Sequence, residues 1–299
     1  MFREISLTFD DAPTNNGTLL TAEERTDLLI QHLDEAGIKG AMFFVTTKNL
    51  IALPEGRQRL QQYVSAGHVL GNHSHNHLKL SDTCVSDYLH DIDNASAILS
   101  EFDSVAPFFR YPYLDEGSCR VKIKAVREGL QERGLKNGYV TVANYDFYLQ
   151  ALIDEAVLVG WKPEIEALRK AYVEVLLGSA EFYDELACKM LGRSPRHILL
   201  LHENDLAALF VKDLVVEFKA RSWNFIPAVD SFGDAIACLE PDTTFLNQGR
   251  VAALAHAAGT GVRQLVPLLE EEEYLRRLLE ERNLIPCTRT FRGDITCLR

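Results

Sequence analysis

Val69-Leu70-Gly71-Asn72-His73-Ser74-His75-Asn76-His77 is the stretch from which the rest of the chain is read. Two apolar residues, a short buried strand by composition, run directly into a histidine cluster. His73 and His77 are four residues apart, and on a helical turn residues at i and i+4 share a face. Two imidazoles so placed bind one transition-metal ion, and neutral imidazole is the commonest metal ligand. His75 points elsewhere on the same turn. Alone, a His-x-x-x-His pair is a weak signal. Its weight comes from other polar residues that also stand at the ends of apolar runs.

Working outward, residues 5–9 read as a buried strand that ends at Asp10 and Asp11, and residues 41–45 as the next strand. Phe108 and Phe109 lead into Arg110-Tyr111-Pro112-Tyr113. Residues 139–142 read as a strand ending at Asn144-Tyr145-Asp146-Phe147, residues 198–201 as one ending at His202, and residues 223–226 as the last. Helices are predicted between them. The first has Thr21 as N-cap, Glu24 completing a capping box, Leu28, Leu29 and Leu33 on one face, and Gly37 at its end. Others cover about 55–66, closed by Gly67, then 86–102, 121–133, closed by Gly134, and 205–220. The strands are continuous apolar runs, the signature of a parallel sheet covered by helices. The polar residues follow the strands' C-terminal ends, the rim where α/β barrels carry their active sites.

The rhythm breaks over residues 149–191, which contain no strand candidate but two or three helical patterns, with joints at Trp161-Lys162-Pro163 and at Gly178. This reads as a helical insertion between two barrel strands, either a lid or groove wall or an enlarged outer helix layer. After Pro241, residues 247–258 and 262–282 read as helices, and 284–299 as a short tail. The acidic run from Glu270 to Glu273, followed by Arg276, Arg277 and Arg282, is most simply a solvated face. The division is therefore a barrel over 1–240, with 149–191 inserted, and a helical C-terminal extension over 241–299.

Of 299 residues, 47% are hydrophobic and 25% charged, the profile of a globular protein with a sizeable core. The net charge of -12 argues against a nucleic-acid partner, which needs a basic face. Cys84, Cys119, Cys188, Cys238, Cys287 and Cys297 show no Cys-x-x-Cys spacing and read as free buried thiols. Cys287 and Cys297 are placed to pair across the tail if the chain is exported. No export signal or membrane-spanning run is recognisable. The expectation is a cytoplasmic protein without a membrane partner, or a secreted or periplasmic one if a leader was removed. Oligomeric state is not legible.

Asp11 with His73 and His77 makes a two-histidine, one-carboxylate ligand set that leaves a position open, the catalytic rather than structural arrangement. Asp10 is the candidate base. Both aspartates face inward only if the chain turns after the strand, which Ala12-Pro13 suggests. His202 is a candidate general acid, against the plainer reading of a hydrogen-bonded structural residue. Asp146 would hold and charge its imidazole. Arg110 would fix Asp10 by a bidentate pair.

The ordered set Thr8-Phe9-Asp10-Asp11, His73-Ser74-x-x-His77, Arg110-x-Pro112-Tyr113, Asp146 and Leu200-x-His202 resembles the polysaccharide deacetylase (NodB-like) family, carbohydrate esterase family four. The resemblance covers about 3–235 outside the insertion. It implies a distorted (β/α) barrel that removes acetyl groups from carbohydrates with zinc or another divalent ion, cobalt, nickel or manganese. It implies Asp10 as base, Asp11, His73 and His77 as metal ligands, His202 as acid backed by Asp146, and Arg110 orienting Asp10. It also implies the Tyr113 backbone N–H as an oxyanion donor and Leu200 as the floor of the methyl pocket. Three departures bear on substrate. Ala143 and Phe147 replace an acid and a tryptophan usual in the fourth motif, so Phe147 alters the sugar-site wall. Tyr111 and Leu114 change the groove. The insertion and the extension lie outside the minimal domain. The expected activity is N-deacetylation of amino sugars, with O-acetyl carbohydrate esterase and silent carbohydrate binding as alternatives.

Overall fold

The computed structural model describes residues 3–53 and 55–287. In chain order the strands and helices are β1 (Arg3–Ala12), α1 (Ala22–Glu35), β2 (Met42–Val45), α2 (Lys48–Ala52), α3 (Gly56–Ser65) and β3 (Val69–Asn72). Then come α4 (Val85–Leu99), β4 (Val105–Phe109), α5 (Arg120–Glu132), β5 (Lys136–Asn137), α6 (Asp146–Leu158) and α7 (Ile165–Leu191). The chain continues through β6 (Arg196–His202), α8 (Asp205–Ala220), β7 (Trp223–Phe225), α9 (Ala228–Ser231), α10 (Gly249–Ala257) and α11 (Glu272–Glu281).

The strands form one parallel sheet in the order β5-β4-β3-β2-β1-β6, with β7 added to the first residues of β1. It is a curled half-barrel, a distorted and open version of the barrel expected from the strand–helix rhythm. The central strands β1, β2, β3 and β6 are buried along most of their length on both faces, as their unbroken apolar runs require. Phe43 is fully buried between Phe9 (ring centroids 4.8 Å apart) and Tyr63 (3.9 Å) and ties β1, β2 and α3 together. The α1 capping box is present: Thr21 Oγ1 accepts from the Glu24 N–H, and the Glu24 carboxylate accepts from the Thr21 N–H.

Register positions the site. Asp10 pairs with His202 across β1 and β6. Asn72 pairs with Phe109 across β3 and β4, so His73 and Arg110, the next residue on each chain, emerge side by side. The β1–β2 register breaks between Phe9 and Ala12, where Asp11 takes a left-handed backbone (φ 68°). That is the turn that lets two consecutive aspartates face the same rim.

Several expectations are corrected. Residues 139–142 do not form a regular strand; Val142 makes a single bridge to Leu199 in the gap between β5 and β6. Gly178 is no joint, since α7 runs through it. A Cβ there would lie 2.4 Å from Leu269 Cδ1, so the glycine admits a side chain from the C-terminal segment. The insertion forms α6 and α7, and α7 packs on α8 and α10, an added outer layer rather than a lid. The helix expected over 262–282 is two short 3₁₀ turns, with Pro267 between them, and then α11. In the acidic run, Glu270 is buried at 2% exposure, not solvated. The cysteines are not buried: Cys84, Cys119, Cys238 and Cys287 are exposed and Cys188 is intermediate, while Cys297 lies outside the described residues. Among the described residues no helix is long and apolar enough to cross a membrane.

Truncating Phe43 to Ala should cost about 3–5 kcal/mol, because three elements lose a shared contact and leave a cavity. Urea unfolding measures this, and a loss below about 1 kcal/mol would contradict the packing described.

Candidate active site

The strand ends surround a pocket of about 310 Å³ lined by Asp10, Asp11, His73, His77, Tyr113, Leu200, His202 and Phe147, among others. The residues singled out in the sequence thus converge on one place, with Arg110 and Asp146 directly behind this wall.

Asp11, His73 and His77 place their ligand atoms within 4.8 Å of one another. Asp11 Oδ1 is 3.0 Å from His77 Nε2 and 3.6 Å from His73 Nε2. The histidines reach this point from a loop, not from the expected helical turn; Ser74 (φ 69°) and His77 (φ 57°) are left-handed, and the Ser74 hydroxyl accepts from the His77 N–H at 2.9 Å. His75 turns away and its Nδ1 meets Thr47 Oγ1 at 2.9 Å. His73 Nδ1 lies 2.8 Å from the Arg110 carbonyl, which accepts only, so Nδ1 carries the proton and Nε2 is left bare. Burial pushes the His73 pKa down despite Asp10 and Asp11, which favours the neutral, ligating form. Burial opposes the charge of Asp11, but the His77 hydrogen bond and the imidazoles of His73 and His202 nearby outweigh it. They hold Asp11 well below the usual carboxylate range. Two imidazoles and an ionised carboxylate are a donor set suited to a divalent transition metal.

Beside this cluster, Arg110 Nη1 donates to Asp10 Oδ1 at 2.9 Å. The pair is not bidentate as expected: Nη2 goes to Thr8 Oγ1 (3.2 Å), Nε to the Gly138 carbonyl, and the guanidinium lies 4.2 Å over the Phe44 ring. Both partners are almost fully buried, so removing either one leaves an uncompensated charge.

On the opposite side, His202 Nδ1 is 2.6 Å from Asp146 Oδ1, and Asp146 Oδ2 accepts from the His202 N–H at 2.8 Å. Asn144 braces this pair, since its amide nitrogen donates to the Leu200 carbonyl and its oxygen accepts from the Asp146 N–H. Burial alone would lower the His202 pKa. The Asp146 carboxylate, helped by Asp11 and Asp10, overrides that and raises it to about 9. The exits of β1 and β6 are also sewn together. The Glu203 N–H donates to the Asp10 carbonyl (3.1 Å), and the buried Glu203 carboxylate accepts from the Thr14 N–H (2.6 Å), Tyr63 (2.9 Å) and Arg59.

Among the described residues, seven that are not glycine have positive φ, and five of them, Asp11, Ser74, His77, Tyr113 and Leu114, stand at this site. Such conformations cost about 1–3 kcal/mol each and persist only where the surroundings enforce them. Tyr145, Asn247 and Gln248 line the pocket without having been foreseen. Their polar side chains carry no spacing that ties them to the strand-end residues.

Residues 2–134 match the family model of the polysaccharide deacetylases. Over this stretch the chain is similar to the polysaccharide deacetylases. A peptidoglycan-N-acetylglucosamine deacetylase of Bacillus cereus is 32% identical over 111 residues, 37% of this chain. The chain spans only about a third (36%) of that relative's length. The chitin deacetylase of Colletotrichum lindemuthianum shares the fold at 21% identity and a TM-score of 0.54, covering 79% of this chain and 92% of that one. A family 4 carbohydrate esterase pseudoenzyme of Bacillus anthracis aligns at 15% identity and a TM-score of 0.49, over 75% of this chain and 63% of that one. The family match contains Asp10, Asp11, His73, His77, Arg110 and Tyr113. Asp146 and His202 lie beyond it and join the same pocket through the fold.

His202 has a raised pKa, so the stability its ion pair contributes is fully present below pH 6.5 and is lost as pH rises through about 9. Asp146→Asn removes the counter-charge and leaves the burial, so the His202 pKa should fall to the ordinary histidine value or below. Titration by NMR reads this directly; an unmoved pKa would show that Asp146 does not charge the imidazole.

Proposed function

We propose that this protein is a metal-dependent deacetylase that releases acetate from N-acetylated amino sugars. One observation carries the reading: the Asp11, His73 and His77 cluster, the Asp10–Arg110 pair and the Asp146-backed His202 share one small pocket at the strand ends. The relatives named for peptidoglycan and chitin deacetylation support an acetylated amino sugar as substrate.

Asp11, His73 and His77 would hold a divalent cation, zinc first among zinc, cobalt, nickel and manganese, and the cation would supply Lewis acidity at the acetyl carbonyl. Asp10 takes the proton of the attacking water, with Arg110 fixing its carboxylate. The Tyr113 N–H stabilises negative charge on the carbonyl oxygen. Protonated His202 gives its proton to the leaving nitrogen, so acetate and a free amine result. A proton held to about pH 9 suits an amine leaving group, which needs protonation more than an alcohol does. Leu200 accommodates the acetyl methyl and Phe147, 44% exposed with its ring 5.6 Å from His202, forms a wall for the sugar. The barrel over 1–240 carries the chemistry, and the extension over 241–299 completes the pocket through Asn247 and Gln248.

Acetate release from N-acetylated chito-oligosaccharides, peptidoglycan fragments and acetylated xylan, with and without chelator, tests the proposal. Chelator-sensitive release from an N-acetylated substrate is expected. Release from xylan alone would move the assignment to an O-acetyl esterase, and release from none would refute deacetylation of these carbohydrates. Asp10→Asn should lower kcat by about 10²–10⁴-fold while metal content stays at the wild-type level. A variant that turns over normally would remove Asp10 from the role of base.

A further inference from the structure

The chemistry above uses the barrel's strand ends, yet part of the pocket wall comes from the segment after the barrel. Asn247 and Gln248 line it immediately before α10. Their backbone is pinned. The Arg250 N–H donates to the Val140 carbonyl at 2.7 Å, and the Arg250 guanidinium donates to the Leu239 carbonyl at 2.9 Å and lies 4.2 Å over the Tyr139 ring. Gly249 is left-handed (φ 79°), and a Cβ there would lie 2.9 Å from the Val140 carbonyl oxygen, so only glycine lets this segment dock so closely.

Gln248 is also braced from behind. Its Oε1 lies 3.4 Å from the hydroxyl of Tyr183, which is fully buried on α7, and that hydroxyl lies 3.1 Å from Glu270 Oε2. Burial pushes the Glu270 pKa up to about 8, against the pull of the Tyr183 hydrogen bond, so the acid is mostly neutral at pH 7. The Tyr183 hydroxyl, with its one proton, faces both Glu270 Oε2 and Gln248 Oε1 and ties the two groups together. The Gln248 amide also hydrogen-bonds the Tyr145 side chain on the pocket wall, which leaves one Nε2 hydrogen for a ligand. The other pocket amide near the acid pair, Asn144, is already engaged at both ends by Leu200 and Asp146. The mechanism makes no use of the buried carboxyl group of Glu270.

We infer that Gln248 is a specificity-determining residue whose amide hydrogen-bonds the sugar ring bearing the acetyl group, with Tyr183 and Glu270 as positioning residues behind it. The inference rests on the carbohydrate reading proposed above and adds to it a residue from outside the matched family region. An amide offers a donor and an acceptor, which suits a hydroxyl-rich ring. A site built to hydrogen-bond a substrate group discriminates through that bond.

The test measures kcat and KM for an N-acetyl chito-oligosaccharide and for 4-nitrophenyl acetate, which has the acetyl group and no sugar. For Gln248→Ala, KM for the oligosaccharide should rise about tenfold while its kcat falls less than about twofold. The preference for sugar over aryl ester, as the ratio of kcat/KM values, should fall about tenfold. Tyr183→Phe should shift the ratio the same way by about threefold, and Glu270→Gln, which keeps a neutral hydrogen-bonding group, should retain the wild-type ratio. An unchanged ratio in Gln248→Ala, or equal losses on both substrates, would overturn the assignment and leave the deacetylase reading intact. Wild-type protein that cleaves the aryl ester but no acetylated carbohydrate would refute the carbohydrate reading itself, and this inference with it.

Discussion

The pairing of β1 with β6, which sets Asp10 opposite His202, is the constraint on which the rest of the site depends. It places base and acid candidates on adjacent strands at one level of the barrel rim. The break in the β1–β2 register then turns Asp11 toward His73 and His77 without moving Asp10 from its place by Arg110. A one-residue slip of β1 would send alternate side chains to the other face and dissolve both relations at once. The buried Glu203 guards that register, because its backbone N–H holds the Asp10 carbonyl while its carboxylate holds the loop that follows β1.

Electrostatics divide the pocket into two halves. Beside His77, Asp11 is stabilised as an anion and His73 as a neutral ring. Beside Asp146, a second imidazole is stabilised as a cation. Titratable groups whose surroundings push their pKa values apart are the physical basis for assigning separate acid, base and ligand roles. The left-handed backbone at Asp11, Ser74, His77, Tyr113 and Leu114 is the local cost of bringing these groups together, and the surrounding barrel supplies the stability that holds it.

Local signals in the sequence carried much of this. The Thr21–Glu24 capping box, the closing glycines Gly37, Gly67 and Gly134, and the helix over Asp205–Ala220 all stand where the residue pattern put them. The strand-end residues converge because their positions depend only on strand ends meeting at one rim. What escaped depends on contacts distant in sequence. The apolar run at 139–142 looks like a strand, but Gly138 packs against the Phe44 ring and the segment divides its backbone hydrogen bonds between β6 and Arg250. A four-residue spacing of histidines is the same on a helix or on the loop that holds His73 and His77. Nothing in Glu270-Glu271-Glu272-Glu273 tells which acid is buried, since that follows from Leu269 and Glu270 docking on α7. Gln248 was illegible for the same reason.

The central claim is that Asp11, His73 and His77 form one metal centre at the rim of this barrel. Its most direct test is the stoichiometry and affinity of zinc binding by calorimetric titration of metal-free wild-type, Asp11→Ala, His73→Ala and His77→Ala proteins. The account predicts one high-affinity ion per wild-type chain and its loss in each variant, with folding checked by circular dichroism. A single ion bound with wild-type affinity by a folded His77→Ala protein would contradict it.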